Sequence, residues 1–230
     1  MTLEANLEQV RAEYLRRTIS GDGTLLRSVE HYATSRTGKM LRPRLLLAAA
    51  ATLGDEVLNS RRTLLLAVAV EMLHNASLLH DDVIDNDLQR RGQPSVNARW
   101  GNTTAVLVGD YLLAQIMTLL DEVDDREATR RINQTVIAMT EAELLAQELN
   151  TKHLTLNTYT KIIDGKTARL FATACALGNP EYEEFGLHYG RLFQLRDDQT
   201  DGEATPFTAD LIREEEAILT TIKPALSVQI

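Results

Sequence analysis

Helix-breaking residues are scarce in this chain of 230 residues, which contains 12 glycines and 5 prolines. That scarcity argues against a loop-rich or all-β architecture, which needs frequent turns. Aromatic side chains make up only 5% of the sequence. Cysteine occurs once, at Cys175. A lone cysteine excludes an intrachain disulfide and fits a reducing compartment. Its place between Ala174 and Ala176 marks it as a small core residue. Positive charge is in deficit, with a formal net charge of -9. The basic residues are scattered or in short pairs such as Arg61–Arg62 and Arg130–Arg131, so no basic patch invites nucleic acid. The longest apolar runs, LLLAAAATL (45–53) and LLLAVAV (64–70), fall short of the ~20 residues that span a bilayer, so no transmembrane segment is expected. The N-terminal MTLEANLEQVRAEYL is acidic and amphipathic, unlike a signal peptide. Together these features predict a cytoplasmic protein.

Apolar residues are abundant instead, at 44% of the sequence. They recur at three- and four-residue spacing nearly throughout. The spacing predicts helices over 4–18, 23–34, 41–53, 61–86, 103–121, 127–149, 156–177, 181–201 and 208–222, and no segment alternates like a strand. Ser60 and Asn102 stand where helix caps belong, and Asn179 precedes Pro180 as an N-cap before a first-turn proline. Gly54 and Gly178 mark helix ends. The length suits one large core, so residues 1–230 are expected to form a single all-α domain. The stretch 202–208 (GEATPFT) reads as its most mobile loop.

Chemistry concentrates in a few short stretches. LLHDDVIDNDLQRRGQPS (78–95) places Asp81, Asp82 and Asp85 at the end of an apolar helix. Asp81 and Asp85, four apart, project from one face. Hard divalent cations prefer oxygen ligands, and Mg²⁺ takes one or two carboxylates and completes its shell with water and phosphate. A single DDxxD is more often a solvated helix end than a metal site. Residues 189–202 (YGRLFQLRDDQTDG), however, repeat the spacing at Asp197, Asp198 and Asp201. If the two helices face each other, the six carboxylates repel unless cations bridge them. This predicts Mg²⁺ and an anionic ligand. A polyphosphate also needs cationic partners. TGKMLRP (37–43) offers Lys39 and Arg42, three apart and so expected on neighbouring helix positions. Arg90 and Arg91 follow the first acidic motif, and GKTA (165–168) offers Lys166 and Thr167. GKTA is not a P-loop, because the full GxxxxGK[ST] pattern and its preceding strand are absent. Singly, each cation reads as surface charge and His74 as a core histidine.

The ordered set GKMLRP, EMLHNASLLHDDVIDNDLQRRGQPS, GKTA and FQLRDDQTD resembles the trans-isoprenyl diphosphate synthase (polyprenyl synthetase) family. The resemblance covers roughly residues 20–202 and is strongest to the medium- and long-chain members. It implies an all-helical bundle around a deep central cavity. It also implies a Mg²⁺-dependent prenyltransferase, with three ions per site, that joins isopentenyl diphosphate to an allylic prenyl diphosphate. Lys39, Arg42, His74 and Arg91 match the residues that hold isopentenyl diphosphate. Arg90, Lys166, Thr167 and Gln194 match those that contact the allylic diphosphate. Asp81, Asp85, Asp197 and Asp201 match the metal-binding set, and Asp82 belongs to the catalytic motif.

Product length follows from the helix ahead of the first motif. Ser77 and Ala76, four and five positions before Asp81, are small where short-chain members place bulky aromatics. This implies a product of C20 or more, with Leu73, Leu112 and Ile116 as candidates for a deeper floor. The C-terminal part departs from the family. Where a D-L-x-E-G-K segment is usual, the sequence reads ADLIREEE, with Arg213, Glu214 and Glu215 in place of the acid, glycine and lysine. Ala142 stands in place of a usual glycine. These departures keep open a second reading, a non-catalytic or regulatory subunit of a heteromeric synthase. A class I terpene cyclase fits poorly, since such enzymes lack the GKxxRP stretch. The family is commonly dimeric, which predicts a homodimer or, under the second reading, a heterodimer.

Overall fold

The computed structural model describes residues 2–18, 39–90, 92–149 and 154–222, together with positions 23, 25, 27, 28 and 226. The helix expected over 23–34 lies largely outside the described residues. The remaining expected helices are present. Their order is α1 (Leu3–Thr18), α2 (Leu41–Ala51), α3 (Asp55–Leu58), α4 (Arg61–Ile84), α5 (Val96–Trp100), α6 (Asn102–Val123) and α7 (Arg126–Glu148). A second series follows: α8 (Leu156–Ile163), a π-helical turn (Asp164–Ala168), α9 (Arg169–Gly178), a 3₁₀ turn (Pro180–Tyr182), α10 (Glu183–Asp201) and α11 (Thr208–Thr221). The fold is all-α. One small feature went unanticipated: β1 (Gln89–Arg90) and β2 (Gln93–Pro94) pair antiparallel, Gln89 opposite Pro94 and Arg90 opposite Gln93. The short helices α3 and α5 were likewise not expected, because four or five residues are too few to show a helical period.

The chain divides into two compact units, residues 1–44 with 59–125, and residues 45–58 with 126–230. The division falls inside α2. In the first unit α4 is the central helix. Leu65 to Val70 are six consecutive buried residues, the signature of a helix covered on all sides. The Ser60 side chain caps it by accepting from the Thr63 N–H. α6 lays Ala105, Val108, Leu112, Ile116 and Leu119 against it at three- and four-residue spacing. Gly101 rather than Asn102 stands at the N-cap of α6, and no side chain caps it. Both α4 and α6 are long and apolar enough to cross a membrane, which the shorter apolar runs alone did not predict. Within this unit, however, they pack on each other, and α6 leaves Val106, Leu107 and Met117 exposed on its other side.

An ionic cluster joins α1 to this pair. Glu13 accepts from Arg16, Arg17 and Arg61 at 2.7–3.0 Å, and Arg17 also reaches Glu122 on α6 at 2.6 Å. The hydrogen bond from Arg16, with help from Arg17 and Arg61, outweighs burial and holds the Glu13 carboxyl down at about 2.

In the second unit α9 packs on α10 at close range. A Cβ on Gly186 would stand 2.6 Å from the Phe171 carbonyl, and one on Gly190 would stand 2.6 Å from Ala168 Cα. Only glycine permits that approach of two backbones. Phe171 fills the adjoining space, with its ring centroid 5.4 Å from those of Tyr189 and Phe193. Cys175 is buried here as a free thiol, and burial pushes its ionisation well above the usual range. Asn179 caps the turn at Pro180 through a hydrogen bond accepted from the Glu181 N–H.

Candidate active site

The first acidic motif ends α4. Leu73, Ala76 and Leu79 form a buried stripe, and Asp82 continues it at the same spacing with no exposed surface. Asp81 and Asp85 therefore fall on the flank, half-buried and exposed respectively. The chain then reverses. Asp85 N–H donates to the Asp81 carbonyl at 2.8 Å, Asn86 takes a left-handed φ of 57°, and Asp87 N–H donates to the Asp82 carbonyl at 2.9 Å. The small hairpin brings Arg90 back beneath the helix end, where its Nε donates to Asp82 Oδ1 at 2.5 Å.

Two residues that sequence reasoning missed fix this turn. Asn97 Nδ2 donates to the carbonyls of Asp82 and Asp87 at 2.8 and 3.0 Å. Ser95 Oγ donates to the Asp87 carbonyl at 2.7 Å and also accepts from the Ala98 N–H as the cap of α5. Neither residue carries a sequence signal for this role beyond the capping serine, because their partners are backbone carbonyls.

The second motif, on α10, repeats the division of labour. Asp198 is buried, 8% exposed, whereas Asp197 and Asp201 are exposed. Asp198 accepts from Gln194 Nε2 and from the Tyr159 hydroxyl, each at 2.6 Å. Gln194 Oε1 in turn accepts from Thr167 Oγ1 at 2.6 Å. Thus Thr167, Gln194, Asp198 and Tyr159 form one continuous chain of hydrogen bonds. It continues through Tyr159 to Thr208 on α11 at 3.2 Å. Burial, then the adjacent Asp198 carboxylate, pushes the Tyr159 phenol up to about 12, so it remains a donor at neutral pH. Tyr159 was not singled out in the sequence, although it lies seven residues before Lys166, two helical turns away.

Lys166 and Thr167 sit on the π-helical turn rather than on a regular helix. Single π turns inside helices are rare and concentrate at functional sites. Gly165 lets this turn press against α7: a Cβ there would collide with Ala142 and stand 2.7 Å from the Ala138 carbonyl. Lys166 Nζ lies 2.5 Å from Glu143 Oε2 on α7, and Gln147 Nε2 donates to Glu143 Oε1 at 3.1 Å. Burial pulls the Glu143 carboxyl up, but the bonds from Lys166 and Gln147 outweigh it and leave the group below its ordinary value.

The cationic residues expected near isopentenyl diphosphate are placed less uniformly. Lys39 is exposed and precedes α2, with Met40 at a left-handed φ of 46° between it and the helix. It therefore does not share a helix with Arg42, as its spacing suggested. Arg42 is buried in the first turn of α2. His74 is half-buried on α4. Arg91 lies outside the described residues. Ala76, Leu73, Leu112 and Ile116 are all buried in the first unit, and Ser77 donates to the His74 carbonyl at 2.9 Å.

Among the described residues, no three acidic, histidine or cysteine side chains converge closely enough to hold a metal unaided. Mg²⁺ fits such a donor set, since it needs one or two carboxylates and draws its other ligands from water and phosphate oxygens. In each motif the outer acids are more exposed than the middle one, which is buried and hydrogen-bonded.

An all-helical chain with two such motifs is the architecture of isoprenoid-synthase folds, and solved structures of that class superpose on it. A decaprenyl diphosphate synthase from Rhodobacter capsulatus does so with a TM-score of 0.82 at 28% identity, covering 99% of this chain and 79% of that one. A polyprenyl synthase from Caulobacter crescentus, complexed with calcium and isoprenyl diphosphate, gives 0.79 at 32% identity, covering 85% and 62%. Residues 23–210 match the polyprenyl synthetase family, and the chain belongs to that family. In sequence it is 38% identical to an all-trans-nonaprenyl-diphosphate synthase (geranyl-diphosphate specific) of Rhodobacter capsulatus, over 82% of this chain and 61% of the relative. It is 33% identical to the heptaprenyl diphosphate synthase component 2 of Bacillus subtilis, over 83% and 57%. The chain thus spans about three fifths of the length of the curated relatives it matches.

Proposed function

We propose that this protein is a Mg²⁺-dependent prenyltransferase, acting as a single domain in the cytoplasm. It condenses isopentenyl diphosphate with an allylic prenyl diphosphate to give an all-trans product of C20 or more. The observation that carries this reading is the shared organisation of the two aspartate motifs. In each, the middle acid is buried and hydrogen-bonded, and the outer acids remain accessible for ligands. Asp81 and Asp85, and Asp197 and Asp201, would hold metal. When bound, metal (three ions in the family pattern) would supply the positive charge that neutralises a departing diphosphate, and these acids would hold it.

The chain's own residues do the rest. Arg90, Lys166, Thr167 and Gln194 bind and orient the allylic diphosphate. Lys166 exchanges its Glu143 partner for phosphate oxygens. Lys39, Arg42, His74 and Arg91 hold isopentenyl diphosphate. Charge-assisted contacts of this kind contribute about 1.5–3 kcal/mol each, and they act where negative charge develops. The small residues Ala76 and Ser77 support a long product, as do relatives named for geranylgeranyl to nonaprenyl chains. A homodimer is the assembly this reading favours.

One observation favours a second reading. Glu215, on α11, stands where the family has lysine and is buried, 4% exposed, in an ionic network with His188 and Arg191 of α10. A cation is therefore lost from the substrate-binding set, as in a subunit that relies on a catalytic partner. The Bacillus subtilis relative is named as one component of a synthase.

A product assay separates the two readings. The protein is incubated with Mg²⁺, labelled isopentenyl diphosphate and, in turn, geranyl, farnesyl and geranylgeranyl diphosphates. Prenyl products of C20 or longer, absent with Asp81→Ala, establish the synthase. No product from any primer sinks the first reading and favours the second.

A further inference from the structure

Lys166 and Thr167 owe their positions to a turn that an ordinary helix would not form. A π turn carries one extra residue, so everything after it is rotated by about 100° relative to an uninterrupted α-helix. Such a turn needs outside contacts to hold it. Gly165 supplies close packing on α7, as described above. The polar contact comes from Asp164, the first residue of the turn. Both of its carboxylate oxygens are held by Arg191 on α10, Nε at 2.5 Å and Nη2 at 2.8 Å. This is the bidentate geometry that gives a guanidinium–carboxylate pair its directionality. The hydrogen bond to Asp164 also raises the Arg191 ionisation further above its already high value.

Arg191 is held from the other side. Its Nη1 lies 3.4 Å from Glu215 Oε1 on α11, and Glu215 Oε2 lies 2.6 Å from His188 Nδ1, one turn before Arg191 on α10. The four side chains are between 5% and 29% exposed. They form one line from α11 through α10 to the turn. The acid at 215 thus has a partner of its own in this chain. It braces the arginine that grips Asp164.

We propose that Arg191, braced by Glu215 and His188, is a positioning residue for the allylic-diphosphate subsite. By holding Asp164 it fixes the π turn that presents Lys166 and Thr167. It touches no substrate itself. The proposal rests on the prenyltransferase reading above and deepens it.

A double-mutant cycle on Asp164→Asn and Arg191→Met tests this, with KM measured separately for the allylic diphosphate and for isopentenyl diphosphate. A group that merely stabilises the fold lowers the amount of active enzyme and leaves both KM values alone. The positioning role raises KM for the allylic diphosphate about tenfold in either single variant and no further in the double. KM for isopentenyl diphosphate stays at the wild-type value. Arg191→Lys, which keeps the charge without the fork, recovers only part of the loss. Should Arg191→Met fail to fold, the isosteric Asp164→Asn decides alone by the same KM comparison. Unchanged allylic KM values, equal rises in both KM values, or independent multiplying effects overturn the proposal while leaving the prenyltransferase reading intact. A wild-type protein that makes no product overturns both.

Discussion

Arg90 Nε donates to Asp82 Oδ1 at 2.5 Å, and Asp82 has no exposed surface. The middle acid of the first motif therefore faces its own arginine, not solvent. Asp82 orients Arg90, whereas Asp81 is half-buried and Asp85 exposed.

The roles of these acids should separate experimentally. Removing one partner of a buried pair is costly, and here Arg90 retains a quarter of its exposure. Asp82→Ala should cost roughly 2–3 kcal/mol, lowering Tm by about 4–12 °C for a chain of this size. Asp85→Ala, at an exposed helix end, should leave Tm nearly unchanged and abolish product formation. Differential scanning calorimetry beside the product assay reads both. Equal Tm losses in the two variants would refute the division of roles.

Acid should weaken the α1–α4–α6 cluster in a defined window. The Glu13 carboxyl is held at about 2, well below the ordinary carboxylate range, chiefly by the hydrogen bond from Arg16. A depressed carboxylate contributes stability that is complete above the unfolded value and disappears as pH falls through the folded one. Wild-type stability should fall by roughly 2–3 kcal/mol between pH 5 and 2 from this group. Glu13→Gln should be less stable at pH 7 and flatter across that interval in urea titrations.

Tyr159 should titrate late. Its phenol is pushed to about 12 by burial and by Asp198, and removal of its hydroxyl leaves Asp198 with one donor fewer. Tyr159→Phe should remove one late tyrosinate transition, near pH 12, from the ultraviolet titration. It should also cost about 1–3 kcal/mol, as expected for a buried hydrogen bond to a carboxylate. If the variant and the wild type ionise the same number of tyrosines near pH 12, the assignment fails.

Gly165→Ala should disturb the π turn, because the new methyl meets Ala142 and the Ala138 carbonyl. Overpacking of this kind costs about 1–3 kcal/mol. Pairing it with Ala142→Gly removes only the side-chain half of the clash, so the double variant should recover part of the stability. Full recovery would show that the Ala138 backbone gives way freely. No loss in the single variant would show that the turn is loosely packed.

The helices were legible because their periodic apolar faces are a local property. Ser60 and Asn179 announced two helix starts, whereas Asn102 misled by one position because Gly101 takes the cap. The π turn was not legible: DGKTA reads as ordinary helix, and its extra residue is stabilised by Ala138, Ala142, Gln194 and Arg191 from other helices. The hairpin at 89–94 was equally hidden, since two-residue strands carry no alternation. From sequence alone Glu215 registers only as an acid in place of a lysine. Its bonds to His188 and Arg191 join residues 24 and more positions apart, which no local pattern encodes.

By itself the sequence determined the all-α class, the family and the residue types available for metal and diphosphate. These depend on spacing along one helix and on the order of short motifs. The tertiary structure decided which acid of each DDxxD is buried, which face of the GKTA turn is presented, and which partner neutralises Lys166. Those outcomes depend on desolvation and on donors arriving from other helices. A charged side chain is turned inward only where the fold supplies its hydrogen bonds.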